Sequence, residues 1–192
     1  METTTYAAFS GDRLIASGDL EQMLLRTKAF LDAGGDAGVL IFEDRTGRQV
    51  DFDFRGTPAE VVARAAAASG TPRGVVGRPR LGVVSREVSL LPRHWEWLEG
   101  QPNGISAALR RLVDEARARE PGKEDVRRAK DAASRFMTAM AGDRRGYEEA
   151  TRALFAGDRE KFEQLVRRWP KDVREHVQRI AAGAFPGAGH DS

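Results

Sequence analysis

The stretch Ser85-Arg86-Glu87-Val88-Ser89-Leu90-Leu91-Pro92-Arg93-His94-Trp95-Glu96-Trp97-Leu98 continues through Gly100, Pro102 and Gly104 to Ile105-Ser106-Ala107-Ala108-Leu109-Arg110-Arg111-Leu112-Val113. Val88 and Leu90 alternate with Glu87 and Ser89, which is the period of a strand. Pro92 stops that strand and starts a helix, because its ring lacks a backbone donor yet suits the first helical position. Trp95 and Leu98 sit three apart and share the inner face of the helix, with Trp97 near its edge. Pro102-Asn103-Gly104 forces a turn, and Ser106 is expected to cap a second helix with Leu109, Leu112, Val113 and Ala116 inward. The unit from Arg86 to Arg119 is then one strand and two short helices, too thin to be stable alone. Pairing the strand with a twin from a second subunit covers both its bare edge and its apolar face. Val88, Leu90, Trp95, Leu98, Leu109, Leu112 and Val113 are the dimerisation residues this pairing predicts.

Upstream, Gly70, Gly74, Gly77 and Gly82 with Pro72 and Pro79 cannot sustain a helix, so 71–83 reads as a linker before the 84–120 unit. The formal net charge of +2 hides an asymmetry around it. Residues 1–70 carry seven basic and eleven acidic side chains, a balance of −4. Residues 71–93 carry Arg73, Arg78, Arg80, Arg86 and Arg93 against Glu87 alone, a balance of +4. A concentration of arginine of this kind attracts polyanions by counterion release; its bland counterpart is a solvated linker.

Residues 1–70 alternate strand and helix signals. Tyr6-Ala7-Ala8-Phe9 and Arg13-Leu14-Ile15-Ala16 flank Ser10-Gly11-Asp12 as a hairpin. Asp19 caps a helix carrying Leu20, Met23, Leu24, Phe30 and Leu31, and Gly34-Gly35 ends it. Val39-Leu40-Ile41-Phe42 is a buried strand, and Val50, Phe52 and Phe54 alternate with Asp51, Asp53 and Arg55 as a half-exposed one. Thr57-Pro58 opens a second helix. The segment reads as a small α+β domain with a mainly antiparallel sheet.

After Pro121-Gly122, residues 121–185 read as a helical bundle with an internal repeat. Ala141-Gly142-Asp143-Arg144 leads to Tyr147, Glu148, Arg152 and Phe155, and Ala156-Gly157-Asp158-Arg159 leads to Phe162, Glu163, Arg167 and Pro170, at an offset of 15 residues throughout. In each copy the glycine closes one helix and the aspartate caps the next. Asp172 is expected to cap a last helix carrying Val173, Val177 and Ile180, and 186–192 to be a disordered tail.

The 192 residues are 41% hydrophobic and 31% charged, the composition of a globular chain. No run of 18 apolar residues is present, so no membrane-spanning helix is expected. The start of the chain lacks the basic and apolar regions of a secretory signal. With no cysteine, disulfide and thiolate chemistry are absent, which fits a reducing cytoplasm. His94, His176 and His190 show no metal-ligand spacing, and no phosphate loop or nucleophile elbow occurs. Asp51 and Asp53 share one strand face but read as a solvated pair. Neither an enzyme, a metal site nor a cofactor is expected.

The 84–120 segment resembles the MetJ/Arc-type ribbon-helix-helix proteins over about 35 residues. More widely, on the stretch from Gly77-Arg78-Pro79-Arg80-Leu81-Gly82 through Trp97-Leu98, the chain resembles an uncharacterised bacterial family, a domain of unknown function. The ribbon-helix-helix resemblance implies a homodimer whose paired strands present Ser85, Glu87 and Ser89 to base edges in the major groove. The start of the second helix at Ser106 would bind phosphate, and Arg78, Arg80, Arg86 and Arg93 would add phosphate contacts. The expectation is therefore a dimeric, cytoplasmic protein that binds double-stranded DNA as a regulator or nucleoid-associated factor. The alternative is a protein-interaction or assembly module whose central strand only dimerises, a reading favoured by the carboxylate of Glu87 on the exposed strand face.

Overall fold

A computed structural model describes residues 4–68, 87–119 and 122–185 of the chain. The expected linker with Arg78 and Arg80, the positions Ser85 and Arg86, and the tail 186–192 lie outside the described residues. The chain is α+β and divides into two compact units. One joins the N-terminal residues to those from Glu124 onward; the other spans Pro72–Lys123.

In the larger unit, β1 (Tyr6–Ser10) and β2 (Arg13–Gly18) form the expected hairpin, followed by α1 (Leu20–Asp32). The Asp19 carboxylate caps α1 by accepting from Gln22 N at 2.8 Å. Next come β3 (Val39–Glu43), β4 (Arg48–Val50) and α2 (Pro58–Ala68). The sheet is antiparallel throughout, in the order β2-β1-β3-β4. At α2, Thr57 N donates to Glu60 Oε2 at 2.7 Å and Glu60 N donates to Thr57 Oγ1 at 3.4 Å, a reciprocal cap that Pro58 leaves undisturbed. The strand expected through Phe54 ends at Val50; Phe52 and Phe54 pack on the core without ladder bonds, because the turn at Asp53 redirects the chain.

Both faces of the central strands are covered. Ala8 and Ile41 face a cluster with Met23, Leu24, Val61 and Ala65 from α1 and α2. Their neighbours Ala7, Phe9 and Phe42 face the opposite way, into a larger cluster built on Phe136, Met137 and Val177. These come from the C-terminal helices, so the segments 1–70 and 121–185, expected as separate domains, share one core. The helices are α5 (Lys123–Ala141), α6 (Tyr147–Ala156), α7 (Arg159–Val166) and α8 (Lys171–Ala181), numbered to leave α3 and α4 for the smaller unit (Pro92–Glu99 and Ile105–Arg119).

Polar contacts across this seam are specific. Gly47, at φ +65°, lies so close to α5 that an added Cβ would stand 2.0 Å from the Ala132 carbonyl oxygen. Arg135 Nη1 donates to Thr46 O at 2.8 Å, and Arg144 Nη2 to Asp12 Oδ1 at 2.5 Å. Asp172 does not cap α8, whose N-cap is Pro170; its carboxylate accepts instead from Leu14 N at 2.8 Å, on the edge strand β2.

The internal repeat is realised in one copy. Gly157 takes φ +77° and closes α6, and Asp158 caps α7 by accepting from Lys161 N at 3.0 Å. In the first copy α6 starts late, at Tyr147, behind Gly146 at φ +86°, so Asp143 caps no helix and Phe155 remains exposed.

Candidate association site

The smaller unit is a helical hairpin. Leu91 precedes α3 (Pro92–Glu99) in an extended conformation, with Pro92 at the first helical turn. Gly100 closes the helix. Asn103 at φ +67° and Gly104 at φ +79° then reverse the chain into α4 (Ile105–Arg119). Both helices and the turn are where the sequence places them.

Two expected details differ. Residues 87–90 form no ladder in this single chain, so the strand that would carry Glu87, Val88, Ser89 and Leu90 is not present here; a strand needs a partner edge to close its hydrogen bonds. Ser106 does not cap α4. It is the second residue of the helix, the Gly104 carbonyl receives the first turn's donors, and the Ser106 carbonyl accepts from Arg110 Nε at 3.0 Å.

Of the predicted dimerisation residues, only Leu98 is buried, at 3% exposure. Leu90, Trp95 and Leu109 are half-buried. Val88 (55%), Leu112 and Val113 (56%) are exposed, as are Leu91 and Trp97 (50%). Leu90, His94, Trp97, Leu98, Leu109 and Leu112 surround an apolar cleft of about 270 Å³ between the helices. The hairpin therefore gathers its apolar side chains around an open cleft instead of a closed core. Sequence periodicity treated Trp97 as an edge residue; its position in the cleft wall depends on the crossing of the two helices, which no local pattern encodes.

The expected DNA-contacting residues fall into two groups. Arg78, Arg80, Ser85 and Arg86 lie outside the described residues. Glu87, Ser89, Arg93 and Ser106 are all exposed. Arg93 makes no ion pair among the described residues.

The larger unit holds a polar cluster that sequence motifs did not mark. Thr5 Oγ1 donates to Asp44 Oδ2 at 2.6 Å, and Arg179 Nη2 donates to the same oxygen at 3.0 Å. His176, 3% exposed, packs between Phe9, which it meets edge to face, and Phe136, which it meets at a tilt. Arg179 Nη2 lies 3.0 Å from His176 Nδ1. A guanidinium can only donate, so Nδ1 accepts and the neutral ring carries its proton on Nε2. That nitrogen faces Asp44 Oδ1 at 3.4 Å without closing a hydrogen bond. Burial drives the His176 pKa down to about 4; Asp44 opposes that shift and Arg179 adds to it. The inward position of His176 is legible from its place three after Val173 on α8, but its partner Asp44 lies on a turn far earlier in the chain. Asp53, once half of a possible carboxylate pair with Asp51, is bound by Arg55 at 2.8 Å and by Arg64 at 3.5 Å. The hydrogen bonds from Arg55 hold its carboxyl well below the usual range. Among the described residues no group of histidines and carboxylates is arranged to hold a metal.

The sequence model of a family described as "Uncharacterized protein conserved in bacteria (DUF2239)" matches residues 5–181. The chain belongs to this family. The match runs through both units, so the family is defined by the layered core and the hairpin together. No curated protein and no solved structure matches the chain. No helix among the described residues is long and apolar enough to cross a membrane.

Proposed function

We propose that this family member is a self-associating assembly module in which two copies pair through the α3–α4 hairpin. The observation that carries this reading is the apolar cleft of the hairpin, lined by Leu90, Leu98, Leu109 and the exposed Trp97 and Leu112, on a hairpin that also exposes Val88, Leu91 and Val113. A unit of this size cannot bury enough surface to close on its own. Five large apolar side chains stay exposed on so short a unit, and two of them, Trp97 and Leu112, share the cleft, which marks a surface used for contact. A second copy suits that surface because residues 87–119 carry five basic and five acidic side chains, so identical faces meet without net repulsion.

Sedimentation of the full chain tests this. A dimer at micromolar concentration is expected, and Trp97→Asp with Val113→Asp shifts it to monomer while helical content persists. A chain that stays monomeric at all accessible concentrations, with its helices intact, overturns the proposal.

Double-stranded DNA binding is the second reading, and the +4 balance of residues 71–93 beside the hairpin favours it. Arg78→Ala with Arg80→Ala would then lower the slope of log affinity against log salt by about one per residue in an anisotropy titration. No binding of mixed-sequence duplex at low salt by the folded dimer removes DNA and leaves the assembly reading alone.

A further inference from the structure

Most arginines near the α6–α7 pair already have acidic partners. Arg144 is paired with Asp12, Arg152 with Glu149, Arg159 with Glu163 and Arg174 with Glu175. Four cations in the same region make no ion pair among the described residues: Arg145, Lys161, Arg167 and Arg168. All but Arg167 line a single cleft of about 630 Å³ that lies wholly within the larger unit. Lys161, Gln164 and Arg168 follow one another at three and four residues, so they share one face of α7 and the turn after it. Arg145 enters from the opposite wall, on the loop before α6.

The loop is held from beneath. Trp169, 4% exposed, donates from Nε1 to the Arg145 carbonyl at 3.4 Å, which fixes the backbone that carries this guanidinium. The next residue, Gly146, also lines the cleft and precedes α6 without any side-chain cap. Tyr147 N is taken by the Arg144 carbonyl and Ala150 N by the Gly146 carbonyl, so within the first turn of α6 Glu148 N and Glu149 N are the donors an anionic oxygen would complement. The one acid in the wall, Glu149, already accepts from Arg152 at 3.1 Å.

We propose that this cleft binds the phosphate groups of a phosphorylated ligand. Two guanidiniums supply forked donors that match phosphate oxygens, and Lys161 adds a mobile point charge. Gln164 offers a neutral donor between Lys161 and Arg168. The cleft volume falls in the range of roughly 300–1,000 Å³ that holds small ligands, enough for a nucleotide-sized molecule or a short run of backbone phosphates. The site is independent of the hairpin and of the arginines at 71–93, so it stands or falls apart from the proposed function.

Trp169 provides the readout. Replacing Trp95 and Trp97 with Phe leaves Trp169 as the sole tryptophan, in contact with the cleft loop. Titrating tripolyphosphate at low ionic strength is expected to change its emission saturably. Lys161→Ala with Arg168→Ala should weaken binding about tenfold or more, because two charge-assisted contacts are lost. Arg127→Ala with Arg128→Ala removes the same formal charge from α5 and should change affinity by about twofold or less. Thermal melts establish that both variants fold.

A short mixed-sequence DNA duplex forms the second arm. If the duplex displaces tripolyphosphate and loses affinity in the same cleft variant, the phosphate belongs to a nucleic acid. If only tripolyphosphate binds, the ligand is a small phosphorylated molecule. Absence of saturable binding in both arms, or an equal loss in the cleft and α5 variants, overturns the site.

Discussion

Phe136 and Trp97 are both large aromatic residues on helices, yet the first is fully buried and the second half exposed. Phe136 sits on α5 against Phe9, Phe42 and His176, with a sheet in front and α8 beside it. Trp97 sits on a hairpin whose only fully covered apolar side chains, among the described residues, are Leu98 and Ala108. The same residue class thus does different work. In the larger unit it closes a core, and in the hairpin it leaves a surface to be covered. The contrast predicts its own largest effect. Phe136→Ala should destabilise the larger unit by about 3–5 kcal/mol in urea unfolding. Trp97→Ala should change that unfolding free energy by about 0.5 kcal/mol or less and act on sedimentation instead. Equal destabilisation by the two variants would mean that the hairpin contributes to the main core after all.

The two units also differ in where they place a histidine. His176 is interior, held among Phe9, Phe136, Asp44 and Arg179, while His94 is exposed on α3. Burial keeps the folded-state pKa of His176 near 4, against 6.5 for the unfolded chain. As pH falls below 6.5 the unfolded state takes up the proton first, so stability is lost between 6.5 and about 4 and does not change further below that on this account. The loss amounts to as much as about 3 kcal/mol. Denaturant unfolding across that window measures it. His176→Phe should flatten the dependence. A slope that persists in His176→Phe would assign it to other groups.

Gly47 tests the seam between the N-terminal turn and α5. Gly47→Ala forces a Cβ against the Ala132 carbonyl and into an unfavourable backbone region, and should cost about 2 kcal/mol or more. Gly104→Ala in the hairpin turn, at a similar positive φ but with nothing within 4 Å, should cost about 1 kcal/mol. If both cost the same, backbone strain alone operates and the α5 contact at Gly47 adds nothing.

Local chemistry in this chain was legible where one stretch contained its own cause. The β1–β2 hairpin, the Asp19 cap, the Thr57-Pro58 helix start and the Pro102-Asn103-Gly104 turn each depend on residues within about one turn of the chain. The shared core was not legible this way, because Phe9 meets Phe136 only after more than a hundred residues. One signal did point to it. Val39-Leu40-Ile41-Phe42 is apolar without alternation, the pattern of a strand covered on both faces. Residues 1–70 supply α1 and α2 for one face only, so the second cover had to come from elsewhere in the chain. The basic cleft was illegible for a further reason: Arg145 and Lys161 come together only because α6 and α7 fold back on each other.

The internal repeat separates sequence likeness from structural equivalence. Asp143 and Asp158 occupy matching positions, 15 residues apart, in Ala-Gly-Asp-Arg segments. Three residues after each aspartate the copies diverge, with Gly146 in the first and Lys161 in the second. Gly146 adopts φ +86°, a conformation that costs a lysine dearly, and two successive turns ending at Tyr147 replace the first helical turn. Lys161 stays helical and gives its N–H to the Asp158 carboxylate. Asp158→Ala should therefore cost about 1 kcal/mol, the usual value of a lost N-cap. Asp143→Ala should fall within about 0.5 kcal/mol of the parent chain. Urea unfolding of the two single variants distinguishes them, and equal losses would mean that Asp143 caps a helix in solution and that the divergence at Gly146 does not delay the start of α6.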